Sequence, residues 1–306
     1  MASGWASKRA TRFALSHSDK AMPRRALIPD DQPFRWLAHA NDEDIPLLEA
    51  GLWIAKDEYP GLDLAEHLNA LHRIGARARQ AVKRAGQDDL DRLRALNRLF
   101  FEELAFSGNH LDFDDPKNSY LNEVLERKLG IPISLSMIYM DIAQEAGFDM
   151  HGISFPGHFL LKLPVDEGLI VLDAFYRGRT LGLDELKARA SSALGDIDLG
   201  DDDLPSLLNS ASKKQILARM LRNLKGLYAQ QNIHDKALRV TDRLVTLEPW
   251  NMHEIRDRGM YYHALEAYPQ AARDLKTYLR SDEPRGDEDQ VNAVLKDCLT
   301  HTPRLH

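Results

Sequence analysis

A chain of 306 residues is long enough for two domains of ordinary size, and its 43% hydrophobic and 28% charged residues are the proportions of a folded globular protein, not of extended disorder. No apolar run nears the roughly 20 residues of a membrane-spanning helix, and a net charge of −7 disfavours nucleic acid, so neither partner is expected. The single cysteine, Cys298, excludes an internal disulfide and a paired-cysteine zinc site, and it points to a reducing cytoplasm.

The chain opens on a basic stretch. Lys8, Arg9, Arg12, Lys20, Arg24 and Arg25 stand against one acid, Asp19. Residues 1–33 therefore read as a disordered, solvated tail; an organelle transit peptide is the other reading of such a composition.

From Glu43 the apolar spacing becomes helical. Ile45, Leu48, Leu52, Ala55 and Tyr59 recur at three and four residues until Pro60-Gly61 stops the run. A second helix carries Leu64, Leu68, Leu71, Ala78 and Val82, and a third carries Leu90, Leu93, Leu96, Phe100 and Leu104 up to Gly108. The polar turn from Asn109 to Asp115 has three aspartates. It lacks the central Gly and final Glu of a calcium loop, so Asp115-Pro116 reads as a helix entry and no metal is expected. A helix through Tyr120, Leu121, Val124 and Leu125 ends at Gly130, and another runs from Pro132 to Gly147.

The pattern then becomes extended in three runs, Met150–Phe155, His158–Leu163 and Leu169–Phe175. With a loop at 164–167, Leu163 faces Gly168 and His158 falls opposite Asp173. Directly opposed residues lie about 5 Å apart at Cβ, close enough for a carboxylate to orient an imidazole. An acidic segment, 191–209, with Asp196, Asp198, Asp201, Asp202 and Asp203, reads as an interdomain linker. Beyond it a 34-residue period relates Tyr228 to Tyr262, Ala237 to Ala271 and Leu244 to Tyr278, with Pro249 and Pro284 closing the units. That period with small residues at the helix crossing marks tetratricopeptide (TPR) hairpins. Two hairpins are too few to stand alone, so they are expected to dock on the core, on the final helix around Val291–Leu299, or on both.

The order of helix N-terminus, His and Asp is that of papain-like folds. Gly108-Asn109, Asp115-Pro116, Asn118-Ser119-Tyr120-Leu121-Asn122, Gly130-Ile131-Pro132-Ile133-Ser134-Leu135-Ser136 and Pro156-Gly157-His158-Phe159-Leu160 together resemble the SirB-type bacterial family over roughly Phe34 to Pro284. The resemblance implies an α+β fold: a papain/transglutaminase-like core preceded by helices (34–190), followed by a C-terminal α-helical TPR array (210–306). It also implies a regulatory label, a protein partner held through the TPR region, and no cofactor.

His158 and Asp173 match the His and Asp of transglutaminase-like folds. Pro132 stands where a transglutaminase has its nucleophilic Cys, fifteen residues before Gly147. Ser134 and Ser136 are the candidate replacements, but Ser134 is turned about 200° from that position and Ser136 lies about 6 Å further along the helix. The expectation is a degenerate, non-catalytic protein. The rival is a serine hydrolase or acyltransferase using Ser134 or Ser136 with His158 and Asp173.

Overall fold

The structure is a computed structural model that describes residues 27–166, 168–200, 202–281 and 286–301. Most of the expected basic tail, with Pro284 of the second repeat, lies outside them. The described end of the tail departs from expectation. Ile28 is buried, and the Glu49 carboxylate accepts the Leu27 and Ile28 N–H groups at 2.7–3.0 Å, which fixes this stretch to the helix Leu47–Glu58.

The N-terminal lobe is helical: α1 Pro33–His39, α2 Leu47–Glu58, α3 Leu64–Arg84 and α4 Asp89–Asn97. Helix α3 starts because the Asp63 carboxylate caps the Ala65 and Glu66 N–H groups, and Leu64, Leu68, Leu71, Ala78 and Val82 are all buried. Helix α4 runs on into a π-turn at Arg98–Glu103 that buries Leu99, Phe100 and Phe101; Leu90, expected on the buried stripe, is exposed.

Two-residue strands β1 Ser107–Gly108 and β2 Leu129–Gly130 pair in parallel around α5 Leu121–Arg127. They lead into α6 Pro132–Glu145, which is buried on nearly every side. Its first position is Pro132, where a missing N–H costs nothing.

Strands β3 His151–Ile153, β4 Leu160–Val165, β5 Gly168–Asp173 and β6 Arg179–Thr180 form an antiparallel sheet in sequence order. Alternation along the strands sends Leu161, Leu163 and Leu172 to the main core with α6. Ile153, Leu160 and Val171 face the other way, onto α7 Leu183–Ala193 and α8 Leu204–Leu207. The acidic segment expected as a linker is thus packed against the sheet: Leu204 is buried, and Lys162 Nζ donates to Leu208 O at 2.7 Å.

The hairpin register differs from expectation by two residues. Val165 pairs with Gly168 and Leu161 with Leu172, so Pro164 lies inside β4. It is tolerated because β3 ends at the Lys162 pairing, leaving that stretch of β4 with one neighbour only. His158 precedes the strand instead of opening it.

The remaining helices are α9 Lys213–Gln230, α10 His234–Leu247, α11 Met252–Ala264, α12 Tyr268–Leu279 and α13 Glu288–His301. Ala237 and Ala271 sit fully buried at equivalent points of the two hairpins. The array docks, as two hairpins must to cover their apolar faces. The main core runs from Phe34 through α6 to Leu247 of α10 without a break. Polar contacts fix the angle: the Tyr120 and Tyr228 hydroxyls meet at 2.5 Å, and Arg243 clamps Asp57 at 2.8 and 3.0 Å. Helix α13 closes the other end, where Val291 and Cys298 are buried.

Candidate functional site: the His158 cleft

A tight turn positions His158. Gly157 takes φ +65°, which glycine adopts without strain, and the His158 N–H bonds to Phe155 O at 3.1 Å. The imidazole reaches the end of β5, with Nε2 3.0 Å from Asp173 Oδ1. Asp173 is wholly buried. Its Oδ1 also accepts the Phe175 and Tyr176 N–H groups at 3.1 and 3.3 Å, and Oδ2 accepts from Arg189 Nη1 at 2.8 Å. Burial alone would raise this carboxyl. The hydrogen bond and charge of His158, then the bonds from Arg189 and the backbone, outweigh it and hold the group below the usual carboxylate range. With Nε2 committed to Asp173, Nδ1 is the ring nitrogen left for other chemistry.

The two serines are not brought to this pair. Ser134 Oγ accepts the Ile131 N–H at 3.1 Å and donates to Asn118 O at 2.6 Å, so it caps α6 and ties it to the polar turn. Ser136 Oγ is buried with no hydrogen-bond partner among the described residues. Pro132, in contrast, lines a cleft of about 310 Å³ together with Ile133, His158 and Phe113. Cys298 is packed against Ala271 and Ala272 between α12 and α13.

The polar turn has a structural role that its aspartates do not reveal. Asn118 is buried; its Oδ1 accepts from Asn109 Nδ2 at 3.0 Å, and its amide donates to Asp112 O at 2.7 Å. This holds Phe113 at the mouth of the cleft. Phe113 and Tyr176 are exposed there, an aromatic rim beside His158. Among the described residues no three His, Cys, Asp or Glu side chains converge as a metal site, and no helix is long and apolar enough to cross a membrane.

The opposite wall of the cleft is helix α9, through Arg219, Arg222, Asn223, Gly226 and Leu227. Arg219 donates to Phe155 O at 3.2 Å and to His158 O at 2.6 Å, so helix α9 braces the turn that carries the histidine. Sequence reasoning missed Arg189 and Arg219. Arg189 carried one local signal, its i,i+4 spacing from Glu185, with which it pairs. Arg219 carried none.

Residues 65–222 match the Transglutaminase-like superfamily, and residues 224–296 match a tetratricopeptide repeat family. A UPF0162 protein of Xylella fastidiosa (strain Temecula1) is 40% identical over 270 residues, covering 88% of this chain and 96% of the relative. Protein SirB1 of Salmonella typhimurium is 26% identical over 74% of this chain and 81% of its own length. Human F-box only protein 21 is 26% identical over 69% of this chain, which spans 35% of that longer protein. The match along nearly the whole length of its bacterial relatives, with a transglutaminase-like core joined to TPR repeats, places this chain in the UPF0162/SirB1 family.

Proposed function

We propose that this protein is a degenerate transglutaminase-like protein that binds a protein partner in the cleft between its core and its first TPR helix, and that it performs no acyl transfer. The supporting observation is Pro132. It lines the cleft with His158 at the head of α6, and it has no nucleophile to offer. Ser134 is engaged with Asn118 and Ile131, and Ser136 is buried without a contact to the imidazole. A serine nucleophile needs a base within about 3 Å, and neither hydroxyl has one. What persists is His158 in the lining of a groove walled by helix α9, held from behind by buried Asp173 and its partner Arg189; helical repeats are a module type suited to protein recognition. Regulation through such binding, in the cytoplasm, fits the family's label. The working unit is the core to residue 190 with the TPR region from 210 packed upon it.

Two measurements test this reading. A broad serine-reactive phosphonate is expected to leave Ser134 and Ser136 unlabelled; labelling of either that disappears in His158→Ala would establish the rival hydrolase. A photo-crosslinker at Gln230, an exposed residue at the edge of the cleft lining, is expected to give partner adducts that are missing when it is moved to exposed Leu183. Equal adducts from both positions would place the partner elsewhere.

A further inference from the structure

Arg219 differs in its electrostatics from the other clustered arginines of this molecule. Arg189, Arg222, Arg243, Arg256 and Arg258 each meet at least one carboxylate, and each is held above the usual arginine range once those partners outweigh the cost of burial. Arg219 has no carboxylate within ion-pair distance among the described residues, and desolvation alone moves it downward. Its side-chain bonds go to two backbone carbonyls, and its guanidinium lies 5.7 Å from the Phe159 ring centre. Two bonds leave part of a five-donor fork uncommitted. A partly buried cation without a counter-charge is costly unless something supplies one.

The position of Arg219 says where the counter-charge would come from. Arg219, Asn223, Gly226 and Gln230 recur at helical spacing along the face of α9 that forms the cleft wall. Of the two arginines there, Arg222 is paired with Glu248 and with Glu254, which Lys225 shares, so Arg219 is the arginine of this wall whose charge meets no carboxylate among the described residues. One charge matches a carboxylate better than a doubly charged phosphate, and a guanidinium binds a carboxylate in a two-pronged geometry. Beside the polar His158, Asn223 and Gln230, the lining has an apolar part made by Phe113, Ile131, Ile133 and Leu227.

We propose that the cleft takes a peptide segment of the partner by its carboxylate, paired with Arg219, while a neighbouring apolar side chain lies against Phe113, Ile133 and Leu227. This rests on the protein-binding reading above and gives the chemistry of the bound segment. Gly226 supplies an independent handle. A Cβ there meets no atom within 4 Å, so a larger side chain fills the cleft without disturbing the fold.

The test uses immobilised full-length protein and two pools of N-acetylated random hexapeptides, one ending in a free carboxylate and one in a carboxamide, with retained peptides counted by mass spectrometry. The expected result is at least tenfold greater retention of the free-acid pool, or the same enrichment of Asp- and Glu-containing members within the amide pool. The first outcome assigns the carboxylate to a chain terminus and the second to a side chain. Arg219→Gln should abolish the preference, Arg219→Lys should keep part of it, and Gly226→Leu, which touches no brace of the fold, should abolish retention altogether at unchanged melting temperature. Retention without any carboxylate preference, still lost in Gly226→Leu, overturns the carboxylate proposal but leaves the cleft a peptide site. No retention by the native chain, or retention that survives Gly226→Leu, overturns both. Displacement by inorganic phosphate at lower concentration than acetate would replace the carboxylate with a phosphate.

Discussion

Ser134 and Ser136 are two residues apart on one buried helix, yet their hydroxyls have opposite energetics. Ser134 Oγ satisfies the Ile131 N–H and the Asn118 carbonyl. Its removal leaves these two buried groups with only their long mutual bond of 3.4 Å, and Ser134→Ala should cost about 1–2 kcal/mol in urea unfolding. Ser136 Oγ has no partner, so Ser136→Ala discards a desolvated hydroxyl and should be neutral or stabilising within about 1 kcal/mol. If the two variants lost equal stability, the cap assigned to Ser134 would be wrong. Asp173 adds a pH dependence. Its folded pKa lies below the usual carboxylate range, so its contribution is present above that range and is lost as pH falls through the folded pKa. Asp173→Asn should cost about 2–3 kcal/mol at pH 7, since it leaves Arg189 and His158 without their shared anion. The gap between native and variant should then close as pH falls from the usual carboxylate range through the lowered folded pKa. A gap constant across that window would mean that the carboxylate charge contributes nothing.

At the scale of elements, Asp42 shows how the array is fastened. Its carboxylate leaves the lobe to accept the Lys213 and Lys214 N–H groups at 2.9 and 3.0 Å, while Ser212 and Gln215 complete a capping box at the same helix end. The first turn of α9 is thus capped from two directions. Asp42→Ala should cost about 1–2 kcal/mol and speed amide exchange in that turn, whereas Asp42→Asn keeps an acceptor and should cost less. Unchanged exchange at Lys213 and Lys214 in the alanine variant would refute this cap. The Asp42 contact spans about 170 positions, and no local pattern announces it. Elements with strong periodicity were legible: the stripe of α3, the proline start of α6 and the 34-residue period. The His158–Asp173 contact was legible too, though by a hairpin count two residues out. A two-residue slip preserves the faces of the strands, and the turn before β4 makes up the remaining distance. Arg189 and Arg219 were not legible, because their roles depend on partners 16 and 61–64 residues away.

For the whole molecule, the continuous core makes a prediction that the acidic composition of 191–209 would contradict. A segment with that charge reads as a free tether, and two domains on a tether would unfold independently. Here α9 and α10 share the apolar cluster of α1, α2 and α6, and Ala211 N bonds to Gly152 O of the sheet at 2.8 Å. Neither part covers its own apolar surface, so the lobe, the sheet and the first hairpin should unfold together. Trp53, buried in α2, reports on the lobe, and amide exchange in α10 reports on the array. Both should give one midpoint in urea. Helices α11–α13 hold two smaller clusters and should open at lower denaturant, as end repeats do. Proteolytic cleavage in the exposed stretch 195–198 sharpens the test. The two pieces should co-elute and keep one transition, and after separation in urea neither should refold alone. If they part under native conditions and each melts cooperatively, the shared core is not what joins them, and the cleft between core and TPR helix is then a chance juxtaposition instead of a site.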